Sequence, residues 1–146
     1  MSILQLGPVI FGPTSDLVDY LQQKGLLAAQ KQCGCGAAMC ISPRSDVSDG
    51  CRFRCPDCHK CISIRDESFF SKSRITLQKW LVLMYWWARD YPVTAAAEEA
   101  EVTEATACAV YQWLREVCTT KLLQTPIQLG GPGIVVQIDE SLFRHK

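Results

Sequence analysis

Cysteine crowding between residues 33 and 61 is the feature that most restricts how this chain can fold. Seven of its nine cysteines lie in this stretch, "CGCGAAMCISPRSDVSDGCRFRCPDCHKC". Clustered cysteines indicate either a disulfide framework or a metal site, and both can hold a small β unit together without a large hydrophobic core. The Pro, Ser, Asp and Gly residues in the middle predict a turn between two halves of such a unit.

Reduced thiols and a metal ion fit the rest of the chain better than disulfides. The cysteine count is odd, and the N-terminus "MSILQLGPVIFGPTSD" lacks the basic start and longer apolar run of a secretory signal. The longest strongly apolar run, "WLVLMYWWA", has nine residues, whereas a membrane-spanning helix needs about 20. We therefore expect a soluble intracellular protein with no membrane association, in which the clustered cysteines bind a metal.

The spacing of the cysteines suggests which of them bind zinc. Cys55 and Cys58 have the usual C-x-x-C spacing. The opening pair is irregular, because one residue separates Cys33 from Cys35 and four separate Cys35 from Cys40, and either spacing can provide the pair. Cys51 and the neighbours of the second pair are spare donors. We predict a structural zinc ion bound by Cys33, Cys35, Cys55 and Cys58. Either Cys40 or Cys61 can take the place of one of these ligands. The donors left over from the cluster are Cys51, Cys61 and His59.

Helical patterns flank this cluster. Before it, "TSDLVDYLQQKGLLAAQ" predicts a short helix capped by Ser15 or Thr14 and stopped by Gly25. After it, a short strand signal in "CISIR" leads to a helix that begins near Ser73 or Thr76 and cannot pass Pro92. The apolar residues of that helix recur at helical spacing and are Leu77, Trp80, Leu81, Met84 and Trp87.

Two further helices are predicted on either side of "EVTE". The second begins near Thr103, and its predicted inward residues are Ala107, Val110, Tyr111, Leu114 and Val117. The layout is that of a helix-turn-helix, and equally that of a helical hairpin that only packs. Six acids and one base lie between residues 90 and 118, so this segment has little to offer phosphate groups.

Charge alone does not identify a partner. The fifteen basic and fifteen acidic residues balance, which argues neither for nor against a nucleic-acid ligand. Residues 44–79 carry a local excess, eight basic residues against five acidic ones. That excess is able to meet phosphates, although a solvated face is the commoner meaning of such a surplus.

The last segment, "GIVVQIDESLF", is apolar through Val136 and then presents Asp139 and Glu140. This pattern predicts a central strand buried on both faces with a carboxylate at its end. A lone carboxylate cannot hold the two divalent ions of a phosphoryl-transfer site, which needs several acids.

The order of these motifs resembles one known family. Cysteine pairs, "SIRDESFFSKSRITLQKWL", a helix-turn-helix-like stretch ending "YQWLREVC", and "GGPGIVVQIDESLFRHK" follow one another here. Together they are similar to the N-terminal half of the ISXO2-like transposases, and most of all to their eukaryotic Merlin-type relatives. The resemblance covers nearly all of the chain beyond about residue 14, and the joint occurrence of the motifs in this order makes it specific.

The resemblance implies an α+β protein that belongs to a cut-and-paste DDE-type transposase. The implied organisation is an N-terminal helical segment (1–32), a zinc ribbon (33–68), a helix-turn-helix-like region (69–125) and the start of a truncated ribonuclease-H-like catalytic domain (126–146). Asp139 stands where the family has its first catalytic carboxylate, which binds Mg²⁺ or Mn²⁺ in the full-length enzyme. The implied partner is double-stranded DNA at the terminal inverted repeats of the element. The chain is also expected to form a homo-oligomer.

Two departures from the family set the alternatives. The later catalytic acids would lie beyond Lys146, so the chain is expected to be inactive alone, and the opening C-x-C replaces an expected C-x-x-C. The chain is thus a transposase or a fragment of one, or else a non-catalytic zinc-dependent DNA-binding or interaction module left by a decayed or domesticated element. The eukaryotic resemblance implies a nuclear location, or a cytoplasmic one if the source is bacterial.

Overall fold

The fold of the chain combines α-helices with one small antiparallel sheet. A computed structural model describes residues 2–125 and 129–137, and within them five helices and four strands are formed. In chain order these are α1 (Ile3–Phe11), α2 (Thr14–Gln23), β1 (Lys31–Gln32), β2 (Ala38–Pro43), β3 (Cys51–Arg54), β4 (Cys61–Ser63), α3 (Leu77–Trp87), α4 (Val93–Glu99) and α5 (Glu104–Gln124). The described part of the chain has no helix that combines the length and the apolar character needed to span a membrane.

The chain divides into two compact units, residues 1–111 and residues 112–146. The first unit contains the sheet, helices α1 to α4 and the beginning of α5, and the second contains the rest of α5 and the segment that follows it. The cysteine cluster belongs to the first unit.

The sheet is a meander in which each strand pairs with the next, in the order β1-β2-β3-β4. In the register of β2, β3 and β4, Phe53 lies opposite Ile41 on one side and Ile62 on the other. Because side chains alternate along a strand, these three share one face, and Phe53 is completely buried there. The predicted turn in the cysteine segment is confirmed, since the N–H of Arg44 donates to the carbonyl of Gly50 at 2.8 Å and closes the β2–β3 loop.

Two helices precede the sheet, and only the second was expected as a distinct element. Helix α1 begins with a capping box, in which Ser2 and Gln5 satisfy each other's backbone N–H groups. The predicted cap of α2 by Ser15 or Thr14 is wrong, because the helix already includes both residues and follows Pro13 without a side-chain cap. The predicted stop is confirmed, since Gly25 adopts a φ of 71°, the left-handed conformation that glycine adopts without a steric cost.

Helix α3 supplies Trp80, the largest fully buried side chain among the described residues. It begins as predicted after Thr76, whose hydroxyl accepts the N–H of Lys79 at 3.4 Å. Trp80 is 1% exposed and its ring packs edge-on against Phe69 and Phe70, with centroids 5.1 and 5.4 Å away. Its indole N–H donates to the hydroxyl of Ser73 at 2.7 Å, so its polar group is satisfied on burial.

Helices α4 and α5 are separated by the four residues 100–103. Glu101 takes a φ of 50° in this turn, and the N–H of Val102 returns to the carbonyl of Ala97 at 3.0 Å. Four of the five predicted inward residues of α5 are buried: Ala107, Val110, Tyr111 and Leu114. The fifth prediction is wrong, because Val117 is 50% exposed, where the apolar face of α5 gives way to a solvated stretch.

The predicted buried strand near residue 134 is not formed within the described residues. Residues 134–137 belong to no strand, and Ile134 and Val135 are 65% and 86% exposed. A central strand requires neighbours on both sides, and the four strands of the described chain are all paired within the cysteine sheet. Asp139 and Glu140 lie outside the described residues.

A buried ion pair connects the sheet with the segment that leads into α3. The guanidinium of Arg65 donates to both carboxylate oxygens of Asp49, at 2.7 and 2.5 Å, and also to the carbonyls of Ser73 and Ile75, at 3.2 and 2.8 Å. Both charged side chains are less than a tenth exposed. Among the described residues no buried side-chain nitrogen or oxygen lacks a partner, so this charge is fully compensated.

We predict that breaking this pair from one side unfolds the protein far more readily than removing both charges. Asp49→Ala or Arg65→Ala should each lower the free energy of unfolding by about 3–5 kcal/mol, because each leaves a buried charge without its partner. The double variant Asp49→Leu/Arg65→Met should recover part of that loss, though not the part due to the Ser73 and Ile75 carbonyls. Urea unfolding of the zinc-loaded proteins measures this, and strictly additive losses would contradict it.

Candidate metal centre

The candidate site lies where two backbone turns face each other at the end of the sheet. Cys33 follows β1 directly and Cys55 follows β3 directly. The sulfur atoms of four cysteines meet there, all within 4.8 Å of one another: Cys33, Cys35, Cys55 and Cys58. These are the four ligands predicted from the sequence, so the structure brings the predicted set together.

The two turns have the same backbone construction although one is a residue shorter. In the first, the N–H of Cys33 donates to the carbonyl of Ala37 at 2.9 Å, and in the second the N–H of Cys55 donates to the carbonyl of Lys60 at 2.9 Å. Each bond runs from the first cysteine to the second residue after the second cysteine. We call the two turns the first knuckle (33–37) and the second knuckle (55–60).

A left-handed residue completes each knuckle directly after its second cysteine. Gly36 has a φ of 94° and His59 a φ of 59°. This conformation costs glycine little, whereas His59 adopts it with a side chain present. The C-x-C spacing of the first knuckle therefore closes in the same manner as the C-x-x-C spacing of the second.

The distances between the sulfurs fit a tetrahedral ion. Cys33 and Cys58 are 3.4 Å apart, as are Cys35 and Cys55, so each close pair joins one knuckle to the other. A tetrahedral zinc ion with bonds of about 2.3 Å to sulfur separates its ligands by about 3.8 Å. A tetrahedron of four sulfurs is also the environment of iron in some proteins, so the donor set indicates a metal such as zinc.

Backbone amides of the knuckles point at the sulfurs and stabilise the deprotonated form. The N–H of Cys58 lowers the pKa of Cys55 to about 7, aided by the Cys35 thiol and the N–H of Asp57 and opposed by burial. The Cys35 sulfur accepts the N–H of Ala37, but hydrogen bonds with the thiols of Cys55 and Cys33 raise its pKa to about 12. Four thiolates this close repel one another, so full deprotonation requires a cation between them.

Burial within the cluster is uneven. Cys55 and Cys33 are 0% and 6% exposed, whereas Cys35 and Cys58 are exposed. The buried pair faces the core of the first unit and the exposed pair faces solvent. Substitution of Cys35 or Cys58 therefore removes a ligand without placing a polar atom in the core.

The remaining candidates stay outside the cluster. Within the described residues, which include all nine cysteines as free thiols, the only group with metal-site geometry is the one formed by the two knuckles. Cys40 and Cys61 point from β2 and β4 on either side of Arg54, Cys51 lies at the start of β3, and the ring of His59 lies 3.5 Å from the Arg54 guanidinium. The amide donors to sulfur, by contrast, have no counterpart in cysteine spacing and were not predicted.

Comparisons with known proteins add no assignment. The chain matches no family model, no curated protein and no solved structure. The resemblance to the ISXO2-like transposases therefore stays a prediction.

We predict one tightly bound zinc ion per chain in protein purified without added metal. Cys35→Ser should abolish stoichiometric zinc and lower the melting temperature, because three thiolates cannot complete the tetrahedron and the folding of such units depends on metal binding. Cys40→Ser and Cys61→Ser are matched controls, since these thiols are also exposed. Elemental analysis that also measures iron, combined with thermal unfolding, gives the result; loss of metal from Cys40→Ser with retention in Cys35→Ser would contradict the assignment.

Proposed function

We propose that this chain is the DNA-binding part of a DDE-type cut-and-paste transposase of the ISXO2-like kind, in which a zinc ribbon precedes a helix-turn-helix. The observation that carries the proposal is the meeting of the two cysteine knuckles, since all four sulfurs lie within 4.8 Å. The motif order of the sequence calls for a zinc ribbon at this place. The opening C-x-C departs from the C-x-x-C expected of the family at Cys33, and the common backbone closure of the two knuckles supports a ribbon despite that departure.

The helices after the sheet supply a second line of support. Helix α3 packs on α4, and four residues separate α4 from α5. Short turns of this length join the two helices of a helix-turn-helix, where the second helix enters the major groove of DNA. Thr103 caps the start of α5, since its hydroxyl accepts the N–H of Thr106 at 3.3 Å and lies 2.9 Å from the Thr106 hydroxyl. A defined helix start at this place suits a recognition helix, whose N-terminal residues contact the bases.

The proposed catalytic role belongs to Asp139. In the full-length transposase this carboxylate would be the first of the acids that bind Mg²⁺ or Mn²⁺, and the metal ions supply the activation of water or a DNA 3′-hydroxyl. The zinc ribbon and helices would hold the terminal inverted repeats of the element. The ribbon and the helices would bind and position the DNA, and this binding needs no divalent ion at Asp139.

We predict that the zinc-loaded protein binds double-stranded DNA and that loss of zinc abolishes binding. Selection from a random duplex library, followed by titration of the enriched duplex at several salt concentrations, measures affinity and its salt dependence. Affinity should fall steeply with added salt, because phosphate contacts release counterions. Cys58→Ser should lose binding together with zinc, and Cys118→Ser, which alters an exposed thiol outside both the cluster and the sheet, is the matched control that keeps both.

Two outcomes would contradict the proposal. No binding by the zinc-loaded protein at low salt would exclude a DNA-binding part, and binding of equal strength by zinc-free Cys58→Ser would exclude the zinc ribbon as part of it. Enrichment of one duplex over the random pool would in addition support recognition of specific element ends.

We further predict that Asp139→Ala leaves duplex affinity and the melting temperature of this chain unchanged, because its proposed role is in metal-dependent chemistry and not in DNA binding. Asp139→Asn is the conservative control. Titration with the selected duplex in the absence and presence of Mg²⁺ tests this. A large loss of affinity for Asp139→Ala without Mg²⁺ would assign Asp139 to the fold or to the DNA-binding surface instead.

A further inference from the structure

The face of the sheet opposite Phe53 is polar and basic. Arg52 and Arg54 flank Phe53 in β3, so their side chains leave the other side of the strand. In the register, Arg54 lies between Cys40 and Cys61, and Arg52 lies between Ser42 and Ser63. We call this surface, formed by Cys40, Ser42, Arg52, Arg54, Cys61 and Ser63, the arginine face.

The arginine face is open to solvent and has small neighbours. Arg54, Cys40, Cys61 and Ser63 are exposed, and Ser42 and Arg52 are half-buried. Successive side chains on one side of a strand are about 7 Å apart, and neighbouring strands about 4.8 Å. The two guanidinium groups thus rise from a row of thiols and hydroxyls with no bulky side chain between them.

The charges of this face are largely uncompensated. Among the described residues neither Arg52 nor Arg54 has a carboxylate within ion-pair distance. The pKa of Asp46 is lowered to about 2 by its hydrogen bonds to Arg44, with a smaller contribution from the charge of Arg52. Asp46 is held by Arg44 at 2.8 and 2.9 Å, so it does not neutralise either arginine of the face.

If the chain binds DNA, helices α4 and α5 need a basic surface elsewhere in the protein. Residues 90–118 contain six acids and one base, and Glu104 stands in the first turn of α5. Phosphate contacts dominate the affinity of proteins for duplex DNA and require cations. A helix-turn-helix with this charge must therefore obtain its electrostatic affinity from another part of the same protein.

We propose that the arginine face docks on the phosphate backbone of duplex DNA, with Arg52 and Arg54 each engaging a phosphate and the serine hydroxyls donating to phosphate oxygens. This inference rests on the proposed function and assigns the electrostatic part of binding to the sheet. Planar guanidinium groups suit phosphate because they donate two parallel hydrogen bonds. Such contacts position a protein on DNA without reading its sequence.

The first experiment measures salt dependence of binding to a random-sequence duplex. Arg52→Gln/Arg54→Gln should weaken binding and reduce the slope of log K against log salt by about 1.8, from a slope of about 0.9 for each phosphate contact. The matched control is Lys72→Gln/Arg74→Gln, which removes the same charge from two exposed residues outside the sheet. All proteins are compared zinc-loaded, with zinc content and melting temperature verifying that the fold is kept.

The possible results distinguish failure of the arginine-face proposal from failure of the proposed function. Binding by the unaltered protein with an undiminished slope in Arg52→Gln/Arg54→Gln would overturn the arginine face and leave the proposed function standing. An equal loss in the control would show that only total charge matters, which also overturns it. No binding by the unaltered protein would overturn both, and equally strong competition by polyglutamate would assign the face to an acidic protein partner instead of DNA.

The second experiment uses the thiols of the face as reporters. Cys40 and Cys61 are exposed on the two strands that flank Arg54, so a docked duplex must cover them. A neutral alkylating reagent, read by mass spectrometry on the zinc-loaded protein, should modify both severalfold more slowly with saturating duplex. The same rates with and without duplex would overturn the proposal, even if the arginine substitutions weaken binding.

Discussion

The guanidinium of Arg65 is the contact on which the arrangement of the first unit depends. It binds Asp49 in the β2–β3 loop and the carbonyls of Ser73 and Ile75 just before α3, with all four bonds at 3.2 Å or less. Arg65 itself follows β4 closely, so one side chain connects the β2–β3 loop and the end of β4 to the start of α3. A planar group with five donors is the side chain best suited to join a carboxylate and two carbonyls at once.

The sequence predicts the metal site more completely than it predicts the fold. Cysteine density and spacing predicted a four-sulfur metal site and favoured the four sulfurs that meet, because few side chains serve soft metals. Spacing alone could not decide between Cys33 and Cys40 as partner of Cys35. That choice follows from the backbone closure of the first knuckle, in which the N–H of Cys33 donates to the carbonyl of Ala37. Apart from the glycine at position 36, the sequence contains no clear signal for such a hydrogen bond.

Helical periodicity predicted the start of α5 and part of the inward side of α3, since burial of an apolar stripe is a local property. Leu77, Trp80 and Leu81 are buried as predicted, whereas Met84 and Trp87 are only half-buried, and the buried Leu83 was not predicted. Periodicity failed where the decision depends on distant partners. Val117 continues the apolar spacing of α5 and is nevertheless exposed, and Ile134 and Val135 have a strand-like composition without strand neighbours in the described chain. The ion pair of Asp49 with Arg65 likewise joins residues sixteen positions apart that no periodicity links, so it could not be predicted.

The way β3 runs into the second knuckle ties surface charge to the metal. Arg52, Phe53 and Arg54 immediately precede Cys55, whose sulfur belongs to the cluster. A slip of the strand by one position would exchange its two faces, carrying arginine inward and Phe53 into water. A metal ion bound by Cys55 would fix the last position of the strand and with it the register. The protein would then lose its basic surface together with its ion, so that the supply of metal would control the charge that a partner meets.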